Sequence, residues 1–230
     1  MNQYIDIGIN LMHRSYSQER ESVVRSAATV GVSPLIITGA SLRSSEIAAD
    51  YAAKHKNIYA TAGVHPHDAK TCDGQTVEKL RWLSKQSQVV AIGECGLDYD
   101  RDFSPRDVQR KWFEAQIQLA SEESMPLFLH ERAAFADFKA ILSSYREVCS
   151  RAAVHCFTGM RDELRAYIDY GRNGRNTGVE NGDRQDIQCA ERRLASHRSD
   201  ARRERVDCGE PRHRRGKYRT EALKCRLTQN

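Results

Sequence analysis

A parallel α/β fold built from repeated βα units is predicted for this 230-residue chain, and three observations predict it. Short apolar runs of strand length alternate with longer stretches of helical period up to Gly171. The runs are near-continuously apolar, as strands covered on both faces are. Four of them close on a histidine or a glutamate: IYATAGVH at His65, VVAIGE at Glu94, PLFLH at His130 and AAVH at His155. In a parallel barrel the ends of such strands share one rim, where active sites sit.

The expected strands are Tyr4 to Ile9, Pro34 to Thr38, Ile58 to Val64, Val89 to Glu94, Pro126 to His130 and Ala152 to His155. Amphipathic helices are expected over Gln18 to Val30, Arg43 to His55, Val77 to Gln86, Arg106 to Glu122, Ala133 to Tyr145 and Arg161 to Tyr170. Ser104 and Pro105 stand before the fourth of these in the order of an N-cap and a first-turn proline. Eight βα units close a barrel of about 250 residues. Six are present, so the fold class expected is a TIM-like (β/α) barrel of the metallo-dependent hydrolase kind, incomplete, with an irregular basic C-terminal tail.

Composition divides the chain at the same place. Up to Gly171 there are 20 Lys plus Arg against 22 Asp plus Glu, and from Arg172 to Asn230 there are 16 against 9, so the formal +5 belongs to the tail. Only seven residues of that stretch are Val, Ile, Leu, Met, Phe, Trp or Tyr. Residues 1–171 are therefore read as the barrel, and 172–230 as an Arg-rich tail too poor in apolar residues to bury a core. Its acidic residues and lack of interleaved aromatics make it a solvated tail before a nucleic-acid site.

No run approaches the roughly 18–20 apolar residues of a membrane span, and Met1 is followed by a polar residue and YIDIGIN rather than a basic segment and an apolar core. A cytoplasmic protein with no membrane partner is expected. Seven cysteines, odd in number and without a C-x-x-C pair, indicate neither a disulfide framework nor a zinc knuckle. Cys95 and Cys156 follow strand-end residues but have no separate base at defined spacing, so they read as small packing residues.

The strand-end residues point to a metallohydrolase. A single His or Glu at a strand end is ordinarily a hydrogen-bonded loop residue, whereas four in register form a ligand set. Carboxylate suits magnesium and imidazole suits zinc, so the set does not choose among magnesium, manganese and zinc. Glu94 lies in GECGLD, where two glycines let the backbone bend and Asp98 adds a carboxylate. A glutamate there can bridge two ions, the arrangement that stabilises attacking and leaving oxygens in phosphodiester hydrolysis. His130 and His155 would each offer one ring nitrogen, with an acceptor on the other that the sequence does not reveal. Within H-P-H, His65 and His67 divide between a ligand or phosphate contact and a structural role. Arg132, two residues past His130, is a candidate phosphate grip. A period of two places Asp6, Gly8 and Asn10 on one face of the first strand, where many barrel metallohydrolases have His-x-His.

DIGINL, ITGASLR, TAGVHPHDA, VVAIGECGLDYDRDFS, MPLFLHER and VHCFTG, in that order across residues 1 to 171, resemble the TatD family of metal-dependent deoxyribonucleases. The resemblance implies a TIM-like barrel in the cytoplasm that hydrolyses single-stranded DNA or RNA from the 3′ end with magnesium and takes part in DNA repair. It implies Glu94, His130 and His155 as metal ligands, Glu94 and His65 as catalytic residues, and Arg132 and His65 as substrate contacts. Asp98 matches the last residue of the G-E-x-G-L-D block without an assigned role. The family continues past C-F-T-G to an E-T-D-A-P segment whose aspartate is a further ligand and base. This chain has none, and its abrupt change of composition is what a reading-frame shift would produce. Two other readings stand beside the nuclease: an amide or ester hydrolase on the same barrel, and an inactive remnant that binds only metal or nucleic acid.

Overall fold

The computed structural model describes residues 4–173. Six strands, β1 (Tyr4–Ile9), β2 (Val32–Ile37), β3 (Ile58–Ala62), β4 (Val89–Asp98), β5 (Leu127–Arg132) and β6 (Ala152–Val154), form one sheet in chain order. Every neighbouring pair is parallel. Helices α1 (Arg20–Thr29), α2 (Leu42–Ala53), α3 (Thr76–Ser84), α4 (Arg106–Glu122), α5 (Phe135–Ser143), α6 (Arg146–Cys149) and α7 (Arg161–Asn173) connect or follow the strands.

The sheet curls into part of a barrel. An ideal Cβ on Gly8 of β1 would lie 2.9 Å from the Phe128 ring of β5, although three strands separate them in the sheet. Only a concave face brings the two so close, and a side chain at Gly8 would push it open. On the convex side, one apolar cluster packs β3, β4 and β5 against α3, α4 and α5, with Phe113 and Phe138 stacked 4.9 Å apart. A second joins β1, β2 and the start of β3 to α1 and α2.

Local chemistry accounts for much of this. Ser41 caps α2 through a reciprocal pair with Ser44, which satisfies first-turn N–H groups. Glu131, pointing away from the concave face, accepts the Ala134 N–H that opens α5 and the Tyr167 hydroxyl of α7.

Several expectations change in detail. β4 runs four residues past Glu94, and β5 continues through Arg132. Arg132 is therefore not just outside the strand but its last residue, in register with Asp98. Ser104 does not cap α4: Pro105 occupies that position, and the fully buried Ser104 hydroxyl donates to His67 O and accepts the Lys70 N–H. A tertiary partner in the loop after β3 outcompetes the helix end for that hydroxyl. α6 and two short 3₁₀ turns, at Arg14–Tyr16 and Pro66–Thr71, have no apolar period long enough to announce them. The Arg-rich stretch beyond residue 173, with the irregular, solvated character and frame shift expected of it, lies outside the described residues.

Candidate metal centre

The carboxyl ends of β3 to β6 carry the strand-end residues to one place. His65 follows β3, Glu94 lies within β4, His130 within β5 and His155 just after β6. Ligand atoms of His65, Glu94 and His130 all fall within 4.8 Å of one another. Glu94 Oε1 is the hub: His130 Nδ1 is 3.2 Å away, His65 Nε2 3.6 Å, and His155 Nε2 is hydrogen-bonded to the same oxygen. The His155 ring lies flat on Phe128, centroids 4.7 Å apart.

β4 can deliver Glu94 because two of its residues have no side chain. Gly96 has φ +149°, and a Cβ there would lie 1.8 Å from His130 O; at Gly93, φ +139°, it would meet Phe128 O at 2.1 Å. The glycines serve the close approach of β4 to β5 rather than a bend of the backbone around an ion.

Asp98 is the residue whose role the sequence left open. Only 1% exposed, it accepts at Oδ2 from His67 Nε2 at 2.7 Å and from His130 Nε2 at 3.3 Å. Its Oδ1 accepts the N–H groups of Asp100 and Arg101. Asp98 is thus the acceptor on the far nitrogen of His130, and it fixes that ring's tautomer so that Nδ1 faces Glu94. Two glutamines of α4 hold the strand ends in turn. Gln109 takes the Asp98 N–H and donates to Asp98 O and Ser104 O, while Gln116 does the same for both backbone groups of Val64, next to His65. Each clamp joins residues 11 or 52 positions apart, and a glutamine inside an amphipathic helix gives no sequence signal of such a bond.

Charge follows from these contacts. Burial favours a neutral Glu94, but hydrogen bonds from His130 and His155 and the nearby His65 outweigh it and hold the carboxyl far below its usual range. Asp98 behaves likewise: its burial is outweighed by His130, His67 and the Arg101 N–H. Burial pushes His65 down to about 3. Its Nδ1 accepts the His67 N–H, which leaves its proton on Nε2, aimed at Glu94. For His155, burial is outweighed by the Cys156 side chain and Glu94, which raise it to about 10, and His130 is raised by Asp98 and Glu94 against its own burial.

The donor set fits a divalent cation. Nδ1 of His130 and Nε2 of His155 converge on one carboxylate oxygen, and without a cation each must carry a proton on that nitrogen to face it. A metal ion replaces those protons with one shared charge. His65, with its proton on Nε2, offers no lone pair to the ion in this tautomer.

Arg132 shares the inward alternation of Phe128 and His130 along β5, which carries it to the rim. Among the described residues its guanidinium has no hydrogen-bond or ion-pair partner, whereas the neighbouring Arg106 and Arg110 are tied to Asp102 and Asp137.

A family model for TatD related DNase matches residues 5–178. The chain belongs to the TatD related DNase family. The 3′-5′ ssDNA/RNA exonuclease TatD of Enterobacter lignolyticus (strain SCF1) is 43% identical over 166 residues, covering 72% of this chain and 64% of that protein. The protein of the same description from Pantoea sp. (strain At-9b) is 46% identical over 167 residues, with the same coverage. Among solved structures, a hydrolase TatD family protein from Entamoeba histolytica matches with TM-score 0.67 and 28% identity, covering 74% of this chain and 63% of that one. The chain spans about 64% of the length of the curated TatD relatives it matches. Among the described residues, no helix is long and apolar enough to cross a membrane.

Proposed function

We propose that this chain is a metal-dependent nuclease of the TatD kind, hydrolysing phosphodiester bonds at the 3′ end of single-stranded DNA or RNA in the cytoplasm, with a role in DNA repair. The observation that carries the reading is the convergence of His130, His155 and His65 on Glu94 at the carboxyl ends of parallel strands.

In this reading Glu94, His130 and His155 hold the cation. Magnesium is proposed, with manganese and zinc as the other ions this mixed set accepts. When bound, the cation supplies Lewis-acid stabilisation of charge on the phosphoryl oxygens. The chain's own groups do the rest. Glu94 stays ionised while only 8% exposed, so the site presents a full negative charge without solvent to dilute it. Asp98 holds His130 with its lone pair toward the site. His65 directs an N–H into the cluster, where it can donate to a phosphate or hold a proton during turnover. Arg132, free of protein partners among the described residues, is placed to grip the phosphate through paired hydrogen bonds.

The test is release of label from 3′-labelled single-stranded DNA by the purified chain with magnesium, beside Glu94→Ala and an EDTA control. Label released by the wild type and lost in both controls supports the reading. No release above the Glu94→Ala background overturns it and leaves metal binding without turnover.

A further inference from the structure

Between β4 and α4, residues 99–105 form a loop at the same end of the sheet as the histidine cluster. Its tip exposes a phenylalanine. Phe103 is 49% exposed, and its ring meets His67 edge to face, centroids 4.6 Å apart. His67 in turn lies 4.3 Å from His65, so two ring contacts separate Phe103 from the cluster around Glu94.

The exposure is built rather than incidental. Phe103 O accepts from Lys70 Nζ at 2.8 Å. The next residue, Ser104, is fully buried and bonded to His67 O, the Lys70 N–H and Gln109 Nε2. The backbone on both sides of the ring is therefore tied to the loop after β3 and to α4, and the side chain is held out of a core it could have joined. The other aromatic of the loop is engaged by protein: the Tyr99 hydroxyl donates to Asp137, and Arg106 covers its ring at 4.4 Å. Among the described residues His67 is the sole ring partner of Phe103. The other exposed aromatic among the described residues, Trp82, lies on α3 in the outer helical layer.

We propose that Phe103 is a stacking platform for an unpaired nucleobase, seating the end of a single-stranded nucleic acid so that its phosphate is directed toward Arg132 and the His65 N–H. The proposal rests on the nuclease reading and adds how the strand is held. Every base has a π-face, so such a platform tolerates any sequence; a base held in a duplex must first leave its pair and its stacked neighbour to turn onto the ring. The single-stranded preference then comes from this ring, while the phosphate contacts supply affinity without regard to strandedness.

The test is a two-by-two comparison. A single-stranded oligonucleotide and its counterpart with an abasic 3′-terminal residue are each given to the wild type and to Phe103→Ala with magnesium. Apparent affinity is read as KM where label is released and as Kd by anisotropy where it is not. The wild type is expected to lose ~5- to 150-fold on the abasic strand, the worth of one base–aromatic stack. Phe103→Ala should lose the same factor on the intact strand and nothing further on the abasic one, and Phe103→Trp should restore the discrimination. A merely structural Phe103 would weaken both strands equally. An undiminished abasic penalty in Phe103→Ala overturns the platform alone. A wild type that neither binds nor cleaves the intact strand overturns the nuclease reading and the platform with it.

Discussion

Replacing Asp98 by asparagine isolates the part of the centre that holds His130 without touching the cluster around Glu94. The amide keeps an oxygen for the Asp100 and Arg101 N–H groups, but it sets an N–H₂ against the two imidazole nitrogens that Oδ2 now receives, at 2.7 Å from His67 and 3.3 Å from His130. Two hydrogen bonds to an ionised acceptor, each worth about 1.5–3 kcal/mol when made, are lost, and both rings must change tautomer. For His130 the proton moves to Nδ1, the atom that faces Glu94, and occupies the lone pair a cation needs. Removal of such a supporting contact costs about 10- to 100-fold in metal affinity. Manganese titration calorimetry well below the melting temperature measures this directly. His67→Ala is the comparison: it breaks the shorter of the two bonds but leaves His130 its acceptor, so its affinity should fall far less. Asp98→Asn binding manganese as tightly as the wild type, or His67→Ala weakening it equally, refutes the argument that Asp98 acts through the His130 tautomer.

Metal affinity should rise with pH. His130 and His155 are both raised in the ion-free centre, His155 to about 10, so near neutral pH His155 holds a proton that a cation must displace, and less of it remains to be displaced as pH climbs toward that value. Calorimetry in buffers of different ionisation enthalpy should register proton release, and none released would contradict the assignment. Gly96→Ala should abolish stable folding, since a Cβ 1.8 Å from His130 O at φ +149° forces β4 away from β5, a cost of more than ~4 kcal/mol. Gly74→Ala, where nothing lies within 4 Å, should leave the urea midpoint nearly unmoved. Arg132→Ala is expected to raise KM for single-stranded DNA by about tenfold or more with the melting temperature unchanged, the loss of a charged phosphate contact at a residue without protein partners among those described.

The order of elements was legible because strand runs and helical period are local properties. Strand β1 and helix α4 fall where the pattern put them, and run length brings His65 and His155 just past the ends of β3 and β6, whereas Glu94 and His130 lie inside strands that run on beyond them. Ser104 shows the limit. Its place before a proline and a helix is the pattern of a cap, yet the hydroxyl serves a loop 37 residues earlier. Asp98 shows another: the apolar run ends at Glu94, so the four further residues of β4, two of them Cys95 and Gly96, carried no sign of a strand.

The class of chemistry was legible without a fold, because four imidazole and carboxylate side chains recurring at the close of successive apolar runs form a ligand set, and the six ordered blocks resembled one family. Tertiary structure alone decided the pairing of atoms: that Glu94 offers one oxygen to three rings, that Asp98 serves both His67 and His130, and that Gln109 and Gln116 anchor the strand ends. Each of these joins groups brought together by the pairing of strands, the packing of α4 on the sheet or the curl of the sheet. That curl is set by the packing of Gly8 against Phe128 and of β4 against β5, which no stretch of neighbouring residues encodes.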